Sequence, residues 1–111
     1  MNSNLIAVAV LVAAAVFEVA GDAVIRKGLH GAGILLIVAG FLMLGTYGIV
    51  VNQLGWDFSR LLGVYVAVFA VVAVLAGRFV FGDTVPVSTW AGLAVVVLGG
   101  LIIQFGPMLA K

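Results

Sequence analysis

Two carboxylates interrupt an otherwise apolar run. Glu18 and Asp22 both fall within Leu5–Ile25, which holds no other acidic residue. Glu18 lies seven residues before the end of that run, which is roughly 10 Å inside it at helical rise. A charge at such depth costs about 2.5–3.5 kcal/mol on insertion scales, so it belongs in a bundle interior or a wet cavity. Glu18, Asp22, Arg26 and His30 follow one another at four-residue spacing, on one slowly drifting helical face. The set runs from cationic at the edge to acidic inside. A carboxyl group withdrawn from water holds its proton more tightly than one in water, and it releases that proton when a cation arrives. That is the chemistry of proton-coupled cation exchange.

The rival reading of this stripe is an internal ion pair. Arg26 stands one turn from Asp22 and can also reach the headgroups. For Asp22 the two readings stand side by side. For Glu18 no basic residue of the same run lies as deep, which favours function. His30 reads as a solvated residue at the interface. Tyr47, Tyr65 and Phe69 are candidates for a cavity wall, because aromatic faces attract organic cations. The alternative for all three is lipid contact or ordinary core packing.

The elements that position these groups follow from composition. The chain has 111 residues, 66% of them apolar and 8% charged. A soluble domain carries about 25% charged residues, so lipid must be the solvent for most of this surface. Four apolar runs are expected as transmembrane helices, at about 5–25, 34–54, 61–81 and 87–105. A span needs about 20 residues. The expected fold is therefore all-α, an integral membrane protein of four helices joined by short turns in one domain. Pro86 suits the start of the last helix. Trp56 and Trp90 fall near membrane edges, where amphipathic rings anchor. Residues Met1 to Asn4 hold no Lys or Arg, and the first run leads into three more, so it reads as a retained helix and not a signal peptide.

Composition also excludes classes. The absence of cysteine removes disulfides, thiolate metal sites and cysteine nucleophiles. A single histidine cannot build a histidine metal cluster. No phosphate loop, Ser-His-Asp set or paired-carboxylate hydrolase pattern occurs, and Gly28-Leu29-His30-Gly31 is too short for a nucleotide loop. No enzyme activity, metal or cofactor is expected. With a net charge of +1, no basic patch suggests nucleic acid.

Four helices make a thin wall for a gated pathway, and a dimer supplies a second carboxylate about a shared axis. Gly92 and Gly99 lie seven apart on the fourth run, and Gly100 smooths the same region. Small residues allow close helix approach in lipid, so these three are expected at a dimer interface. Packing within one subunit is the alternative. The glycines of the second run, Gly33, Gly40, Gly45 and Gly48, suit close packing beside a cavity. Arg26, Lys27 and Arg78 fall on one side of the membrane, and Arg60 and Lys111 on the other. This weak bias leaves two readings under the positive-inside rule: one orientation with the Arg26 side cytoplasmic, or both orientations paired antiparallel.

Helix one reads Phe17-Glu18-Val19-Ala20-Gly21-Asp22-Ala23-Val24-Ile25-Arg26. It resembles the small multidrug resistance transporters, whose first helix carries Glu-Val-x-Gly and then a basic residue near its end. Phe81-Gly82 followed by Pro86 is similar to that family's third turn, and Gly92-Leu93 with Gly99 to its fourth helix. The resemblance covers nearly the whole chain, but only the helix-one motif is specific. It implies an antiparallel homodimer in the bacterial inner membrane, exporting small or aromatic cations in exchange for protons. Glu18 would be the shared proton and substrate carboxylate, and Tyr65 would match the tyrosine of helix three. The chain departs from the pattern in three places. Val68 stands where the family has tryptophan, Trp56-Asp57-Phe58-Ser59-Arg60 replaces a Pro-Thr-Gly-like start to helix three, and Asp22 adds a second acid. These departures point to a divergent branch of the wider drug/metabolite transporter superfamily.

Two functions fit these residues. One is a proton-coupled antiporter for a small cationic or polar organic solute. The other is a small membrane scaffold or accessory subunit of a larger transporter complex, with Glu18 as a structural contact.

Overall fold

The computed structural model describes residues 3–109, with side chains over residues 5–107. Lys111, counted above in the charge balance, lies outside the described residues. Four helices are present: α1 (Ser3–Lys27), α2 (Ile34–Val51), α3 (Phe58–Phe79) and α4 (Val87–Leu109). Each is long and apolar enough to cross a membrane. Large side chains such as Leu35, Phe41 and Val87 lie open along them. In water such surface would drive collapse or association, whereas against acyl chains it costs nothing. The chain is a multi-pass membrane protein of all-α class.

The helix ends depart from the apolar runs by a few residues, each for a local reason. α1 continues through Arg26 and Lys27, whose cations suit the negative end of a helix. α2 stops at Val51, three residues short of the expected end. There the Asn52 amide side chain donates to the Gly48 carbonyl at 2.8 Å, and the next two backbone N–H groups turn to carbonyls three residues back. α3 begins early because Asp57 is extended (φ −55°, ψ 143°) and its carbonyl already accepts the Leu61 N–H at 2.8 Å. The Pro86 carbonyl accepts the Thr89 N–H at 3.0 Å, which starts α4. α4 then runs past Phe105 with Pro107 in its last turn.

The contacts divide the chain into two compact units, one through Gly55 and one from Trp56. The first unit is the α1–α2 hairpin. Its turn, Gly28–Ala32, contains Gly31 at φ 118°, and Gly33 follows at φ 104°. Side-chain-bearing residues rarely adopt such values. The stem is closed by glycine: at Gly40 a Cβ would overlap Ile25 Cγ1 and come within 2.8 Å of the Gly21 carbonyl oxygen. With no hydrophobic drive between helices in lipid, such backbone contact supplies the van der Waals attraction. A stripe of α1, Ala7, Leu11, Ala14 and Ala15, is buried.

The second unit is the α3–α4 hairpin. A Cβ at Gly63 would come within 2.7 Å of Ile103, and Gly100 lies against the Ala67 methyl group. Leu61, Val64, Tyr65 and Ala67 are buried along α3. The connection reverses at Gly82 (φ 71°), and the Asp83 N–H donates back to the Gly77 carbonyl at 2.8 Å.

Candidate functional site

Glu18 lies well inside α1. The helix extends nine residues beyond it to Lys27, about 13 Å at helical rise. The Glu18 side chain is half-buried. Asp22 follows one turn later and is exposed, as is Arg26. Among the described residues these two share no ion pair.

The stripe expected from the four-residue spacing ends before its last member. α1 stops at Lys27, and His30 sits in the turn at φ −97°, ψ 27°. Its ring is exposed, and Nδ1 donates to the Arg26 carbonyl at 2.7 Å. A carbonyl can only accept, so this bond requires the proton on Nδ1. His30 thus closes one of the open carbonyls at the end of α1.

Tyr65 is buried in the second unit, and Phe69 stands one turn further along α3. Their ring centroids are 6.2 Å apart with planes tilted by 34°, within the range of favourable aromatic pairs. Tyr47 is half-buried on α2 of the first unit. On α4, Gly92 is exposed and Gly99 half-buried, and neither has a neighbour within 4 Å of the place a Cβ would take. Gly100 is buried against Ala67 and so packs within its own hairpin. In the second unit a cleft of about 290 Å³ opens where α3 meets α4. It is lined by Ala73, Val74, Gly77, Asp83, Val85, Pro86 and Thr89.

One polar cluster went unread in the sequence. Arg60 donates from Nε to Gln104 Oε1 at 3.2 Å, and its guanidinium carbon lies 4.0 Å from the Trp56 ring centre. The available signal was Gln104, the one polar side chain in the stretch Leu93–Phe105. A lone amide inside a span needs a partner.

Among the described residues Asp22 holds no group in place, so replacing it orphans none of them. On the cation-exchange expectation, Asp22→Asn should fold as the native chain does, shift the pH dependence and retain exchange within about tenfold of the native rate, because the deeper Glu18 still carries the proton. Proton-driven uptake in proteoliposomes measures this. Complete loss in folded protein would make Asp22 an essential second carboxylate.

No protein-family model matches this sequence, and neither a curated protein nor a solved structure matches it.

Proposed function

We propose that the chain is a proton-coupled antiporter, working as an antiparallel homodimer in a bacterial inner membrane and exporting a small cationic or polar organic solute. The observation that carries this reading is Glu18, a half-buried carboxylate well inside a membrane-spanning helix. Ionisable groups at that depth are expensive and mark ion or substrate paths. One carboxyl group can serve both ligands: a cation favours its charged form and expels the proton, and a returning proton displaces the cation. Coupling then follows from competition at one site. The Glu18-Val19-Ala20-Gly21 motif ties this chemistry to the small multidrug resistance transporters, as a divergent member. Tyr65 and Phe69 would supply an aromatic wall. The test is proton release from detergent-solubilised protein on adding amines, guanidines and quaternary ammoniums. Release with none of them, and no transport of them by purified protein in liposomes, would favour the scaffold reading instead.

The open glycine face of α4 is where the second copy would dock. Within their own unit, a Cβ at Gly92 or Gly99 would meet no described residue within 4 Å. Gly99→Leu should therefore weaken association while leaving the α3–α4 hairpin intact, since its Cβ would start into space that the described residues of its own unit leave open. Crosslinking yield at matched protein-to-detergent ratio should fall about tenfold, the scale of losing one close helix contact in lipid. An unchanged yield places the interface on another helix.

A further inference from the structure

We infer that Arg60, clamped between Trp56 and Gln104, is a binding site for the phosphate of an anionic lipid headgroup. The three residues belong to one unit and lie at one level. Arg60 is in the first turn of α3, and Gln104 stands beside it near the C-terminal end of α4. Both therefore stand at the same edge of the hydrocarbon. Trp56 precedes α3 directly, at the depth where indole rings sit among headgroups.

The guanidinium is part-buried and held on two sides. Nε–H is committed to Gln104 Oε1 at 3.2 Å, and the guanidinium carbon lies over the indole ring, 4.0 Å from its centre. Its other N–H groups, on both Nη nitrogens, have no acceptor among the described residues. A guanidinium carries a planar fork of donors that matches phosphate oxygens in pairs. Holding the guanidinium against the ring and through the Nε bond restrains that fork before any ligand arrives, so less freedom is lost on binding.

Arg78 provides the contrast. It lies over the ring of its neighbour Phe79, 5.4 Å from its centre, and is exposed. Among the described residues no polar side chain of its unit holds it. The nearest acid to Arg60 in sequence is Asp57, three residues before it, which is exposed and makes no side-chain cap to α3. It lowers the local positive potential without occupying the fork. A bilayer phosphate already stands at this depth, whereas an inorganic phosphate must come from bulk water, so the lipid is the source we assign.

The test uses the full chain with Trp90→Phe, leaving Trp56 as the single tryptophan, in phosphatidylcholine vesicles doped with brominated phosphatidylglycerol. Quenching of Trp56 reports lipid beside the site. One basic side chain at an anionic surface enriches such lipid about fivefold. The oriented fork should exceed this, at about tenfold or more over the bulk fraction. Arg60→Lys keeps the charge but loses the fork and should fall to about fivefold. Arg60→Gln should show no enrichment, while Arg78→Gln should behave as the native chain. Millimolar inorganic phosphate should leave the quenching unchanged. Full retention of quenching in Arg60→Lys would reduce the site to general charge attraction and overturn the proposal. Competition by inorganic phosphate would overturn the lipid source. Equal quenching in Arg60→Gln and native protein would remove Arg60 from the interaction altogether.

Discussion

Replacing Glu18 by glutamine should abolish substrate-driven proton release and cation–proton exchange. The substitution keeps the side chain's length and its capacity for hydrogen bonds, but removes the ionisable proton. If one carboxyl group alternately holds a proton and a cation, no other residue of α1 can take over. Asp22 is exposed and a full turn nearer the helix end, and His30 lies outside the helix with its Nδ1–H engaged. Release measured on adding an amine or quaternary ammonium should fall to background. Exchange in proteoliposomes should fall by two orders of magnitude or more, roughly the loss expected when a positioned proton-transfer group is removed. Glu18→Asp retains the acid but withdraws it by one methylene, so it should slow exchange while leaving protons and cation coupled. Thermal denaturation of the Gln variant in the same detergent separates a chemical loss from a folding failure. A folded Gln variant that still drives cation uptake from a proton gradient would reduce Glu18 to a structural contact.

The second large effect concerns Gly40. In an open helix, glycine to alanine gains about 1 kcal/mol of helix propensity. At Gly40 the sign should reverse. The added methyl group would overlap Ile25 Cγ1, which a β-branched side chain in a helix moves only with difficulty, and would press to 2.8 Å from the Gly21 carbonyl oxygen, which is backbone and cannot move aside. Overpacking of this kind costs about 1–3 kcal/mol, enough to outweigh the propensity gain. Gly40→Leu should cost more than the alanine change and separate α1 from α2, because the whole side chain must leave the interface. Gly45 lies on the same helix with nothing within 4 Å, so Gly45→Ala should be neutral or stabilising. Denaturant titration in mixed micelles, with hydrogen exchange over α1 and α2, reads both. Equal stability of the two alanine variants would mean that the hairpin has slack at Gly40 and is not set by backbone contact.

The amino-acid sequence by itself determined the class: apolar runs of span length, with 8% charged residues over the chain, leave lipid as the solvent whatever the packing. It also determined that Glu18 is costly, since burial depth along a helix follows from rise per residue alone. Local chemistry placed the α4 start at Pro86, because a proline carbonyl can accept helical bonds while its ring nitrogen cannot donate. Helix ends were less legible. The four-residue spacing of Glu18, Asp22, Arg26 and His30 holds as a stripe only while the helix continues. Gly31 and Gly33 adopt positive φ, so the chain turns and His30 leaves the face. Spacing cannot announce that, because glycine is compatible with both outcomes.

Only tertiary structure sorted the glycines. Gly40, Gly45 and Gly48 look alike in one span, yet Gly40 alone meets backbone across the hairpin. Gly99 and Gly100 are adjacent, but successive helical residues point about a hundred degrees apart, and only Gly100 lies against Ala67. The Arg60–Gln104 bond joins residues 44 apart in sequence. Nothing local relates them until α3 and α4 run side by side. Composition and periodicity act through the solvent and through one helix at a time, whereas contact between helices depends on rotation and register, which the packed hairpin alone decides.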